Sequence, residues 1–91
     1  METREIHVYG LVQGVGFRWC TQILAKKYFL KGWVKNESDG SVNILIQGKD
    51  YVLNKFIQEL PAAQSPAARI DKIEQKQLTN VAPLTRFTVK Y

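Results

Sequence analysis

Near the middle of the chain, Asp39-Gly40 separates two short runs of alternating apolar residues, and this juncture restricts the available folds more than any other feature. Glycine accepts the positive φ of a tight hairpin turn, so Asp-Gly between such runs marks two antiparallel strands. The first run is Lys31 to Asn36. The second, Ser41 to Gln47, places Val42, Ile44 and Ile46 on one face, with Leu45 interrupting the polarity of the other. A helical period lies on either side of this hairpin. Residues 19 to 30 carry an apolar stripe of Cys20, Ile23, Leu24 and Tyr28. Residues 50 to 60 carry Val52, Leu53, Phe56, Ile57 and Leu60, with Asp50 placed to cap the helix and Pro61 to close it.

Strands are expected outside the helices. Residues 5 to 12 alternate, with Ile6, Val8 and Val12 facing one way and His7, Tyr9 and Leu11 the other. Ile70 to Leu78 is a polar strand suited to a sheet edge, and Phe87, Val89 and Tyr91 alternate in a short last strand. The order β-α-β-β-α-β with an added C-terminal strand defines an α+β fold, the ferredoxin-like split βαβ, over a single domain of residues 1–91. An antiparallel sheet with both helices on one face is expected. In that topology the first two strands run parallel with another between them, and their C-terminal ends emerge at one sheet edge. The loop ending in Arg18 should therefore lie beside Asn36.

Composition excludes several classes. No apolar run is long enough to span a membrane as a helix, and Met-Glu-Thr-Arg-Glu is not the start of a signal peptide. The lone Cys20 forms no internal disulfide and suits a reducing compartment, so a cytoplasmic location is expected. The net charge is +5, and Ile6 to Asn36 holds no Asp or Glu while carrying Arg18, Lys26, Lys27, Lys31 and Lys35. Such a stretch is either a solvated basic face or a positive field around an anion site.

The stretch Gly10-Leu11-Val12-Gln13-Gly14-Val15-Gly16-Phe17-Arg18 runs from a strand through two glycines into a helix. Glycine lets several backbone N–H groups converge, the helix N-terminus adds partial positive charge, and arginine supplies a planar fork of donors. This is a cradle for a phosphate or a carboxylate. No nucleotide-triphosphate loop, full dinucleotide fingerprint, metal-ligand cluster or nucleophile–histidine pair accompanies it. The Asn36 amide is no general base, but it can hold a water molecule. A site of this kind suits a phosphoryl transfer whose leaving group needs no protonation, and an acyl phosphate has one.

These residues resemble the acylphosphatase family. The resemblance rests on Tyr9 to Arg18, on Gly32-Trp33-Val34-Lys35-Asn36, and on the following Gly40-Ser41-Val42 and Gly48; Phe17 beside Gly16 is similar to the prokaryotic form. It implies hydrolysis of a small-molecule acyl phosphate to a carboxylate and inorganic phosphate, with neither metal nor cofactor. By the same resemblance Arg18 binds the phosphoryl group with the backbone of Gln13, Gly14, Val15, Gly16, Phe17 and Arg18, and Asn36 orients the attacking water for in-line displacement. A free-standing monomer, weakly inhibited by its phosphate product and without nucleic-acid or membrane partners, is the expectation.

Other readings compete with this one. RNA-recognition domains share the element order, but Ser41 to Gln47 has no aromatic on which a base could stack and the first strand offers only Tyr9. A regulatory domain of the same fold would not need both Arg18 and Asn36. Residue by residue, Gly14 and Gly16 could serve a plain turn, Asn36 a plain hairpin, and Trp19 and Trp33 packing. Cys20 reads as a small core residue and His7 as a surface histidine without a partner.

Overall fold

The computed structural model describes residues 1–91. Its elements are β1 (Glu2–Leu11), α1 (Phe17–Lys27), β2 (Lys31–Asn36), β3 (Val42–Gly48), α2 (Asp50–Glu59), β4 (Arg69–Leu78) and β5 (Phe87–Lys90). They form one five-stranded sheet in the order β4-β1-β3-β2-β5. β3 pairs antiparallel with β1, setting Ile6 opposite Ile44, and antiparallel with β2, setting Val34 opposite Ile44. β1 and β2 are thus parallel to each other with β3 between them. The expected polar strand β4 does occupy an edge, beside β1.

Alternation decides which face is buried. Ile6, Val8, Val34, Val42, Ile44 and Ile46 are fully enclosed beneath the helices, where Leu24, Ala25, Leu53, Phe56 and Leu60 meet them in one core. Both helices therefore cover the same face. On α2 the expected stripe holds, with Val52 and Ile57 at its margins. Lys49, not Asp50, is the N-cap, and Asp50 instead pairs with the largely buried Arg4 of β1.

On α1 the stripe is rotated from its expected position. The helix begins at Phe17, and the residues it buries are Phe17, Thr21, Leu24 and Ala25. Ile23 is half exposed, and Cys20 borders a shallow apolar groove with Ile23, Leu24, Lys27 and Ala63, so it is no core residue. The small residues Thr21 and Ala25 allow close approach to the sheet, which a pattern read from large apolar side chains does not reveal.

The outer face departs most from expectation. β5 pairs with β2 in parallel, so the sheet is mixed where a wholly antiparallel one was expected. To reach that edge from β4, residues 79–86 run along the end of the sheet where β3 finishes, meeting its outer side at Gln47. Gln47, which points to this side of β3 and is 1% exposed, binds the crossing at two points: Nε2 donates to Ala82 O at 3.0 Å, and Oε1 accepts from Leu84 N at 2.8 Å. Leu45, two residues earlier on that face, is also buried. Its ladder partner on that face is Trp33 of β2.

Removing the Gln47 amide would leave an N–H and a carbonyl of the crossing unpaired. Gln47→Ala should cost about 1–3 kcal/mol of stability, seen as a lower urea midpoint with unchanged slope. An unchanged midpoint would mean that other contacts hold the crossing in place.

Candidate functional site

β1 delivers the chain to the glycine loop, which turns through two left-handed residues, Gly14 at φ 75° and Gly16 at φ 76°. A Cβ built on either would meet nothing within 4 Å, so the requirement is one of backbone dihedral and not of space. Gly16 is also the N-cap of α1, with no side chain capping the helix and no acidic residue in its first turn. The N–H groups there are left without a side-chain acceptor, and the dipole gives that end partial positive charge. Between the glycines, Val15 packs against the core and its carbonyl accepts a 3.0 Å hydrogen bond from Ser65 Oγ.

The loop forms one wall of a cleft of about 390 Å³. Arg18 and Asn36 both line it, together with Gln13, Gly14, Gly16 and Phe17. The topology thus brings the first turn of α1 and the last residue of β2 to one place, as the strand order requires. Val15 is the one member of the predicted phosphate-binding set whose atoms do not line the cleft; its side chain belongs to the core.

The electrostatics favour an anion. Arg18 has no acidic partner, whereas Arg4 pairs with Asp50 and Arg69 with Asp71. Its guanidinium lies 4.8 Å from the centre of the Tyr91 ring, a cation–π contact that leaves the N–H fork available. Asn36 Oδ1 is buried without any hydrogen-bond donor. An orphaned buried acceptor is costly, and it marks a position where a donor such as water is wanted.

The loop and the hairpin are joined directly. Gln13 Nε2 donates to Glu37 O at 2.8 Å and to Ser41 O at 2.9 Å, bracketing the turn that follows Asn36. Ser41 is held from its other side. Its backbone N–H and its hydroxyl donate to Asp39 Oδ1 at 3.0 and 2.5 Å, and His7 Nε2 lies 2.6 Å from Oγ. With that hydroxyl proton committed to Asp39, the His7 nitrogen is the donor to Ser41. His7 also stacks on Tyr9, so it is a structural residue with defined partners and not a free surface one.

Sequence reasoning passed over four lining residues: Trp19, Gln22, Val89 and Tyr91. Trp19 was expected to pack, yet it is 66% exposed at the cleft. Gln22 stands one helical turn beyond Arg18, a spacing that could have flagged it. Val89 and Tyr91 could not be placed without the parallel pairing of β5 to β2.

With this geometry in place, comparison with known proteins is direct. The acylphosphatase family model matches residues 4–89. A curated acylphosphatase of Lactobacillus johnsonii is 46% identical over 91 residues, covering all of both chains. The crystal structure of acylphosphatase from Bacillus subtilis superposes with a TM-score of 0.94 at 37% identity, again over the whole of both chains. The T. kodakarensis HypF structure is similar over all of this chain, with a TM-score of 0.89 and 36% identity, but over only 12% of its own length. The chain belongs to the acylphosphatase family. It is a hydrolase whose substrate is a small-molecule acyl phosphate and whose product is phosphate.

The Ser41 hydrogen bonds hold the Asp39 carboxyl below its ordinary value, the hydroxyl contributing most and the backbone N–H next. A depressed folded value means that the unfolded chain takes up the proton first. The stabilisation is therefore complete above the ordinary aspartate value of about 3.9 and disappears as pH falls through the lower folded value. Asp39→Asn should show a smaller loss of urea stability than the wild type between about pH 5 and pH 3. Equal losses would place the acid-sensitive group elsewhere.

Proposed function

We propose that the cleft hydrolyses acyl phosphates by attack of water on phosphorus, in line with the acyl leaving group and without a metal ion. The loop N–H groups and Arg18 hold the phosphoryl oxygens, and Asn36 holds the water. As the water oxygen bonds to phosphorus, the P–O bond to the acyl group breaks and its electron pair leaves on the carboxylate. Both water protons end on the phosphate product, giving a carboxylate and dihydrogen phosphate. A carboxylate needs no protonation to depart, so no general acid is required, and positioning with charge stabilisation suffices. The observation that carries this reading is the convergence of an unpaired arginine and an orphaned asparagine acceptor on one cleft.

No group of three His, Cys, Asp or Glu side chains is arranged to hold a metal ion. The same reading takes the protein as a cytoplasmic monomer, weakly inhibited by inorganic phosphate and without nucleic-acid or membrane partners. No helix is long and apolar enough to cross a membrane.

Phosphate release from benzoyl phosphate should persist in excess chelator, and its loss there would sink the metal-free mechanism. In H₂¹⁸O the label should enter phosphate; label in benzoate would instead place the attack at the carbonyl carbon. Arg18→Ala should abolish phosphate binding and nearly all turnover. Asn36→Ala should keep phosphate binding and lose about 10²–10³ in kcat, the scale of a lost oriented polar group. Full activity in Asn36→Ala would remove the asparagine from the mechanism.

A further inference from the structure

We infer that the side chain of Gln13 is a positioning residue for the attacking water: it clamps the hairpin that carries Asn36 to the phosphate-binding loop, and it does not itself grip phosphate. A side-chain amide has two N–H donors and one carbonyl acceptor. Both donors of Gln13 have backbone acceptors, the carbonyls of Glu37 and Ser41. What remains is the carbonyl oxygen, which an anion would repel. The side chain thus has nothing to offer a phosphoryl group, although the residue's backbone sits in the loop and its atoms line the cleft.

Its two acceptors are chosen by place. Glu37 directly follows Asn36, and Ser41 is the residue that returns the chain from the turn. These two are already paired, Glu37 N to Ser41 O at 2.8 Å, and Gly40 N closes the turn onto Glu37 O at 3.2 Å. Gln13 therefore grips the base of a closed hairpin rather than a loose loop. β1 and β2 are not neighbours in the sheet, because β3 lies between them. The clamp spans that gap at the sheet edge, where the ladder itself offers no direct bond between the two halves of the site. Ser41 is braced on its far side by Asp39 and His7, so the hairpin base is held from both directions.

The inference rests on the reading of Asn36 as the residue that holds water. Gln13→Met preserves length and removes both donors. It should lower kcat for benzoyl phosphate about tenfold to a hundredfold, the loss that a misplacement of about 1 Å produces. Competitive inhibition by inorganic phosphate should stay within about twofold of wild type, since the Arg18 side of the site is untouched. In the Asn36→Ala background the same substitution should change kcat by less than about twofold, because there is no positioned asparagine left to disturb. Gln13→Leu, which also removes both donors and adds no charge, is the second probe should Gln13→Met not fold, and it should behave in the same way.

An equal fold-loss in both backgrounds would overturn the inference and leave Gln13 a purely structural residue. Phosphate inhibition weakened in step with kcat would also overturn it, by placing Gln13 in the phosphate grip. Full activity of Asn36→Ala alone is a separate result: it overturns the reading on which this inference rests, and the inference with it.

Discussion

Both halves of the site hang from β3. Its antiparallel pairing on two sides makes β1 and β2 parallel, and their C-terminal ends then leave the sheet at one edge. The glycine loop continues from the first and Asn36 terminates the second. The register is fixed because Val42, Ile44 and Ile46 are wholly buried, and a slip of one residue would turn that set into the opposite face. The packing of one short strand thus sets the distance between an arginine and an asparagine that are far apart in sequence.

The cleft gathers unsatisfied groups. Arg18 has no carboxylate partner and meets only the face of an aromatic ring. The first turn of α1 has neither a capping side chain nor an acid. The Asn36 oxygen is buried without a donor. Each of these would cost stability in a site meant to stay empty, and a bound phosphoryl group with its water would satisfy all three. Trp19 and Tyr91 are exposed at the rim of the cleft.

Much of this was legible from residues alone, because the local signals agreed with the global fold. Asp39-Gly40, two helical periods and a glycine-broken strand end were enough to place Arg18 beside Asn36. What escaped has one physical origin, long-range contact. The strap of residues 79–86 and the parallel docking of β5 leave no periodic trace, and they account for the buried Gln47 amide and the mixed sheet. α1 starts at Phe17, and its buried stripe runs through Thr21 and Ala25, small residues that a hydrophobic pattern undervalues. Gln13 was legible as part of the loop but not as a clamp, since its partners are backbone carbonyls, which every residue possesses.

The central claim is that the loop, Arg18 and Asn36 surround a single anion. A titration of ¹⁵N-labelled protein with inorganic phosphate, followed by amide chemical shifts, tests it most directly. The account predicts saturable shifts with one common affinity in the N–H groups of residues 14 to 18 and the Asn36 side-chain amide, with β4 unmoved. Shifts confined to surface lysines, or loop and Asn36 resonances that respond with different affinities, would contradict it.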